Sequence, residues 1–357
     1  MTATKDTGLK YQKMKKYIID QINNKVYKPN ERIPSENELS KLLGFSIITV
    51  RKAMAELVNE NIIYRVQGKG SFVVDTNKIA ASKRIAALIM SGNGPYDSSL
   101  LQIIKGIQTY FKKENYSLIV ESSDSNIEKE KKIIDDLVGK GVHGIILYSS
   151  NPDANIISIK RMREMMFPLV LIDRYIEEYP INYVCPNNFA GAFSATEYLL
   201  KSGHKKIAFV AYEFYLSSEK ERFKGYCKAM EDFKVDVNPE LLFTEHDVDF
   251  ERMLDLIREE QLTAIFAAND RRALELMDLL SRNNIRIPDD VSIIGFDDCE
   301  NIKYAKISLS TVRQDFIGLG YEAANILLET IKNPDMEYKV VMLPTKLIIR
   351  DSTKNIK

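Results

Sequence analysis

Residues 33–74 read IPSENELSKLLGFSIITVRKAMAELVNENIIYRVQGKGSFVV, and this stretch decides the fold of the front of the chain. Ser35 can cap a helix, and Glu38, three positions on, completes a capping box. Leu39, Leu42 and Leu43 then face inward, and Gly44 stops the helix. Ser46 is a second cap. Behind it Val50, Ala53, Met54 and Leu57 share a face, which leaves Thr49, Arg51 and Lys52 at or near the other. A short helix, a glycine turn and a helix with an exposed basic face make a helix-turn-helix. Residues 62–66 and 71–74 alternate on either side of Gln67-Gly68-Lys69-Gly70, the pattern of a β-hairpin with Lys69 at its tip. Upstream, Met14, Tyr17, Ile18 and Ile22 are spaced for a first helix over 9–25, ended by a turn at Pro29-Asn30-Glu31. The expectation is an N-terminal winged helix-turn-helix, an α+β domain over residues 1–74.

The chemistry of this head suits duplex DNA. A helix fits the major groove, an arginine can donate two hydrogen bonds to guanine, and glycine amides and lysine can approach phosphates. Charge agrees: residues 1–78 carry 14 Lys/Arg against 8 Asp/Glu, the remainder 36 against 42, for a net charge of zero. The ordered motifs of residues 9–74 resemble the winged-helix domain of GntR-type bacterial regulators. That resemblance implies DNA contacts at Glu36, Asn37, Thr49, Arg51, Gln67 and Gly68, with Lys69 and Gly70 in the wing. Ile47 departs from it, standing where the family often has Arg. Asn61 replaces a usual Gly, and asparagine tolerates a left-handed backbone.

Residues 75–83 are short and polar and read as a linker. From Arg84 onward strand and helix alternate. Strands are expected over 85–90, 117–121, 144–148, 168–172, 206–211, 241–245, 263–267 and 291–295. Helices are expected over 100–113, 127–140, 189–201, 219–233, 250–259 and 273–282. Such alternation makes parallel sheets covered by helices on both faces, in one large sheet or in two lobes. Ligands of such sheets bind at the carboxyl ends of strands. The loops there hold residues 92–97, 149–151, Asp173-Arg174, Asn269-Asp270 and 295–298, with Arg222 near the start of a helix. Asp, Asn and Arg with an aromatic suit a sugar. Carboxylates accept from vicinal hydroxyls, a guanidinium donates to two oxygens at once, and a ring covers the apolar face. Asp270 and Asp298 read as caps or structural acceptors, and the lysine-rich runs 112–113 and 129–132 as solvated faces.

The phrases VLIDRY (170–175), SSEKERFKGY (217–226), AIFAANDRRAL (264–274), VSIIGFDDCE (291–300) and LSTVRQDF (309–316) resemble LacI/GalR-type regulators and periplasmic sugar-binding proteins. The resemblance implies an α/β periplasmic-binding-protein-like effector domain over 84–357, which also dimerises. It would consist of two Rossmann-like lobes joined by three crossings, with ligand in the cleft. Asp173, Arg174, Arg222, Asn269, Asp297 and Gln314 fall on sugar-contacting positions, and Tyr96 on the aromatic one. Gly94 stands where many relatives have a polar residue, and Asn93 could supply that contact.

A GntR-type head on a LacI-type body resembles the arabinose-responsive repressors of Gram-positive bacteria. It implies a homodimer that binds operator DNA and is released by L-arabinose. Residue chemistry by itself supports only a small neutral polyhydroxylated ligand, so another pentose, a hexose or a nucleoside stays open. A sugar-acting enzyme is the reading from a different class. It would need a separated carboxylate pair flanking a glycosidic bond, and Asp173 and Asp297 are better read as hydroxyl acceptors. GxSxG, GxxxxGK[ST], HExxH and a full GxGxxG are all missing, so no enzyme and no cofactor are expected. Cys185, Cys227, Cys299 and three isolated histidines make no metal set. No apolar run approaches the roughly 18–20 residues that span a bilayer, and the first residues hold no signal-peptide core. A cytoplasmic protein without a membrane partner is expected.

Overall fold

The computed structural model describes residues 4–60, 62–66, 69–74, 84–92, 98–212, 214–244 and 249–357. The expected linker, 75–83, lies outside them.

The head begins with α1 (Thr4–Asn23), β1 (Arg32–Ile33), α2 (Glu36–Leu43) and α3 (Ile47–Asn59), and closes with β2 (Ile63–Val66) and β3 (Gly70–Val73). Both caps form. Ser35 and Glu38 make the reciprocal capping box, and Gly44 ends α2 at φ 67°. Leu39 is buried and Leu43 packs against the core, but Leu42, expected inside, is 62 % exposed on the last turn. Ser46 accepts from the Thr49 amide at the start of α3. Met14, Ile18, Leu39, Val50, Ala53, Met54 and Leu57 meet in one core with Ile33, Ile63 and Val73. Strand β1, which no pattern announced, pairs antiparallel with β3 and widens the hairpin to three strands in the order β1-β3-β2.

The first lobe runs β4 (Arg84–Met90), α4 (Ser98–Lys113), β5 (Tyr116–Ser122), α5 (Ile127–Gly139), β6 (Ile145–Tyr148), α6 (Ile156–Glu164), β7 (Leu169–Ile172) and β8 (Asn182–Pro186). The chain then crosses to the second lobe. There it forms α7 (Asn188–Lys201), β9 (Ile207–Val210), α8 (Ser217–Asp232), β10 (Leu242–Phe243), α9 (Phe250–Arg258), β11 (Ala264–Ala267), α10 (Asp270–Arg282), β12 (Ser292–Asp297) and β13 (Ser310–Arg313). It returns to the first lobe as α11 (Phe316–Lys332) and β14 (Val340–Leu343), and crosses a third time to β15 (Lys346–Ile348). Of the two arrangements left open, the structure has two lobes. Each holds a six-stranded sheet, ordered β5-β4-β6-β7-β8-β14 and β10-β9-β11-β12-β13-β15. The first is parallel throughout. The second ends in β15, antiparallel to β13, because a strand entering directly from the other lobe arrives from the opposite end.

In each lobe two helices pack closer than a side chain permits. A Cβ at Gly106 (α4) would lie 2.1 Å from the Ile317 carbonyl oxygen, and one at Gly320 (α11) 2.1 Å from that of Ile103. In the second lobe a Cβ at Gly225 (α8) would lie 2.3 Å from the Phe189 carbonyl oxygen of α7. Both sheets reverse strand order beside their first strand, the point outside which such sheets bind ligands. Those two points face each other across the crossings, where the Asn187 amide donates to Leu343 O (2.8 Å) and Thr345 Oγ1 to Asn187 O (3.4 Å).

Candidate functional site

In the head, the N-terminal turns of α2 and α3 stand side by side. The Glu36 carboxylate accepts from Arg51 Nε and Arg65 Nη2, both at 2.9 Å, tying α2 to α3 and the hairpin. Arg51 stays half exposed at its side chain. Asn37 is exposed beside it. Thr49 is buried, its hydroxyl 2.8 Å from that of Ser46, so its side chain serves the helix cap. Lys69 is exposed at the hairpin turn, held by its amide donating to Val66 O (3.0 Å). Gly70 has φ 110°, and a Cβ there would meet Arg32 Nε at 2.9 Å. Gln67 and Gly68 lie outside the described residues.

The second grouping lies where the lobes meet. Arg222, on the second turn of α8, is 5 % exposed. Its Nε donates to Asn188 Oδ1 (2.8 Å) and its Nη1 to the Ala268 carbonyl (2.6 Å). The guanidinium lies 3.8 Å over the Phe296 ring, with Nη2 3.5 Å from Asp297 Oδ1. Gln314 Nε2 donates to the same carboxyl oxygen at 2.5 Å. Asp297 has φ 126° and Asp173 φ 69°. Backbone strain of this kind at a non-glycine residue persists where surrounding structure holds it, commonly at binding sites. Burial pushes the Asp297 carboxyl well above the usual carboxylate range; Arg222 opposes that, and the carboxylates of Asp270 and Asp173 reinforce it. Asp173, from the other lobe, is thus within electrostatic reach of Asp297.

Asp173 is buried at the end of β7 with Arg174 Nε 3.6 Å from it. Arg174 Nη1 donates to the carbonyls of Ser149 (3.1 Å) and Ser150 (2.9 Å). These serines are held from beneath by Glu130, fully buried, whose carboxylate accepts from Ser149 Oγ and Asn155 Nδ2 at 2.6 Å each. Burial pushes the Glu130 carboxyl up, and its hydrogen bonds pull it back. The reading of 129–132 as a solvated face is therefore corrected at Glu130, which the turn of α5 points inward between exposed Lys129 and Lys132. Asn269 caps α10, its Oδ1 accepting from the Arg272 amide at 2.9 Å. Asp270 is an internal acceptor for Thr311 Oγ1 (2.5 Å) and the Cys299 amide (3.0 Å). A Cβ at Gly295 would sit 2.3 Å from its Oδ1, so only glycine leaves that seat open. Asp298 is taken up by Arg313 (2.5 Å) and Arg350 (2.6 Å). Asn93, Gly94 and Tyr96 lie outside the described residues.

The structure thus brings Asp173, Arg174, Arg222, Asp297 and Gln314 together, and adds Asn188, which sequence reasoning missed. The signal for it was Asn187-Asn188 directly after a strand and before a helix. Asn188 Nδ2 and Gln314 Oε1 are buried without a hydrogen-bond partner among the described residues. Two carboxyls, two guanidiniums and an unfilled donor and acceptor form a site that can bind hydroxyls from both sides. Polar contacts draw the lobes together: the Tyr175 amide donates to Ser217 Oγ (3.0 Å), the Glu300 amide to Ser98 Oγ (3.1 Å) and Lys224 Nζ to Glu177 Oε1 (3.0 Å). Among the described residues no helix is long and apolar enough to cross a membrane.

Known proteins share both parts. Residues 10–73 match the model of bacterial regulatory proteins of the gntR family, and residues 196–353 that of the periplasmic binding protein-like domain. The chain is 30 % identical to the arabinose metabolism transcriptional repressor of Halalkalibacterium halodurans, over 98 % of this chain and 97 % of that protein. It is 26 % identical to the HTH-type transcriptional repressor PurR of Histophilus somni (strain 2336), over 89 % and 98 %. A LacI family transcriptional regulator from Enterococcus faecium, solved with bound ribose, superposes with a TM-score of 0.63 at 25 % identity, covering 76 % of this chain and 100 % of that one. With likeness along both modules and nearly the full length of each chain, this protein belongs to the family of bacterial transcriptional repressors that join a GntR-type head to a periplasmic-binding-protein-like body.

Proposed function

We propose that this chain is a cytoplasmic, sugar-responsive repressor that holds operator DNA as a homodimer and lets it go when a small neutral sugar enters the cleft. The observation that carries the sugar reading is the cluster of Arg222, Asp297, Gln314 and Asn188. A buried guanidinium and carboxyl pair, beside an acceptor and a donor left unfilled at Gln314 Oε1 and Asn188 Nδ2, suits a ligand that both donates and accepts. Both guanidiniums already face carboxyls, Arg174 at Asp173 and Arg222 at Asp297, which favours a neutral ligand over an acid or phosphate. L-arabinose is the effector we favour, on the likeness to the Halalkalibacterium repressor. Ribose, bound in the Enterococcus structure, is the specific competitor. In this reading Asp173, Arg174, Asn269 and Tyr96 complete the sugar's shell.

DNA contact is proposed for Asn37, Arg51, Gln67, Gly68, Lys69 and Gly70, with Arg51 as the base reader and Lys69 on phosphate, while Glu36 and Thr49 act through the residues they hold. For the dimer, the second lobe offers Tyr304, 88 % exposed. Close by in sequence, Ala305, Lys306 and Ile307 help line a hollow of about 820 Å³ whose wall is half apolar, with Met277 and Ile287, and half polar, with Asp278 and Arg286. A second copy covering this surface would join two heads in one molecule, and reading two half-sites requires recognition helices about 34–36 Å apart.

Switching requires only a difference in affinity between two lobe arrangements. A coupling of about 1–3 kcal/mol at each of two sites weakens DNA binding about 30-fold or more. The test is a thermal-shift panel of pentoses and hexoses, since a ligand of the folded state raises Tm, followed by operator gel shifts with each hit. Stabilisation by one sugar together with loss of the shifted band supports the reading. Equal operator affinity with and without every sugar overturns it.

A further inference from the structure

The start of α3 exposes apolar side chains where a soluble helix ordinarily shows polar ones. Ile48 is 77 % exposed and Ile47 39 %, at the second and first positions of the helix. Neither joins the head's core, which α3 reaches through Val50, Ala53, Met54 and Leu57. Ile48 stands one turn before Arg51 and Lys52 on the same face. Lys52 lies 4.0 Å over the Tyr11 ring and pairs with Asp335 of the body, whereas Arg51 is oriented by Glu36. The outward surface at this helix end is thus a β-branched apolar pair beside one fixed guanidinium. No isoleucine can hydrogen-bond a base edge. The major groove presents one apolar group, the C5 methyl of thymine, and apolar side chains recognise it by contact.

Resting on the DNA-binding reading above, we propose that Ile48, with Ile47 beside it, reads thymine methyl groups, making this chain's operator thymine-bearing next to the base read by Arg51. Three residues of helix rise span about 4.5 Å, close to one base step of about 3.4 Å. The thymine therefore lies within one or two base pairs of that base. The flanking arginine and the basic head supply the attraction that brings an otherwise apolar helix end against a polyanion.

The test uses the full chain and a duplex enriched from a random library. Each dT is replaced singly by dU, which removes only the methyl. With the wild type, one or two positions in each half-site should weaken binding about fourfold, the equivalent of one buried methylene. Ile48→Ala, whose fold is untouched at so exposed a position, should bind the dT and dU duplexes at those positions equally. Sequence-specific binding indifferent to every dU replacement overturns the inference and leaves the DNA-binding reading standing. So does a methyl penalty that persists undiminished in both Ile48→Ala and Ile47→Ala. If no duplex is enriched, the DNA-binding reading fails and takes this inference with it.

Discussion

The head and the body use charge in opposite ways. Arg51 stands half exposed on a convex helix, oriented by one carboxylate. Arg222 lies 5 % exposed in a concave seam, braced by a side-chain amide, a carbonyl, an aromatic ring and a carboxyl. A polyanion comes to the first and needs only a surface. A small neutral ligand must be enclosed, and its site draws on residues that are distant in the chain. The head's site should therefore fail gradually when single contacts are lost, and the body's abruptly.

The sharpest break is expected at Arg222. Arg222→Ala strips Asp297 of its cationic partner, leaving it only Gln314, and removes the donor to Asn188 Oδ1 and the Ala268 carbonyl, a loss approaching the roughly 3–5 kcal/mol of a broken buried charge pair. Sugar affinity by calorimetry should fall at least about 100-fold, and the variant should still bind operator. Ordinary sugar affinity would remove Arg222 from the site. Arg51→Ala should weaken operator binding by about 1–3 kcal/mol, or roughly 5- to 150-fold, with sugar binding intact. An unchanged gel shift places Arg51 outside the interface. Tyr304→Asp should weaken self-association by about 1–2 kcal/mol, measured by sedimentation, if a second copy covers that face. Unaltered association moves the dimer elsewhere.

Lys69→Ala should lower the slope of log K against log salt by about one per head; an unaltered slope puts the lysine in solvent. The smallest effect concerns pH. Burial lifts the Asp270 carboxyl to about 6. The folded chain therefore keeps this proton between about pH 4 and about pH 6, where the unfolded chain has lost it. The group's contribution to stability is present below that window and lost as pH rises through it. Asp270→Asn has no such fall, so the Tm gap should move in the variant's favour from pH 4 to pH 6. A constant gap contradicts the assignment.

Much of this was legible because it is local. Ser35 with Glu38, Ser46, and Gly44 at φ 67° all act within one turn. The expected body strands alternate with helices at spacings that only a parallel α/β architecture explains. Helix α11 was not among the helices named. It packs against α4 and the first sheet and buries Ile326, Leu327 and Leu328 in succession, yet Glu322, Asn325, Glu329 and Lys332 recur at helical spacing on its outer side, so its period was legible in the sequence. Strands β14 and β15 are two residues apart yet join different lobes, and no local pattern encodes that parting. Glu130 hid inside a lysine run because its acceptors' partners, Ser149 and Asn155, come from another loop.

The order of residues alone determined the two modules, the helix ends, the strand-end inventory and the basic and acidic halves, since caps, periodicity and charge are read off neighbours. Tertiary structure decided which groups face each other. It turned Glu36 toward two arginines and the Thr49 hydroxyl toward the Ser46 cap, set Asp173 within the field of Asp297, and left Ile48 in the open. The physical reason is that burial and partner choice depend on distances between segments far apart in the chain, which only the packed lobes and the folded head define.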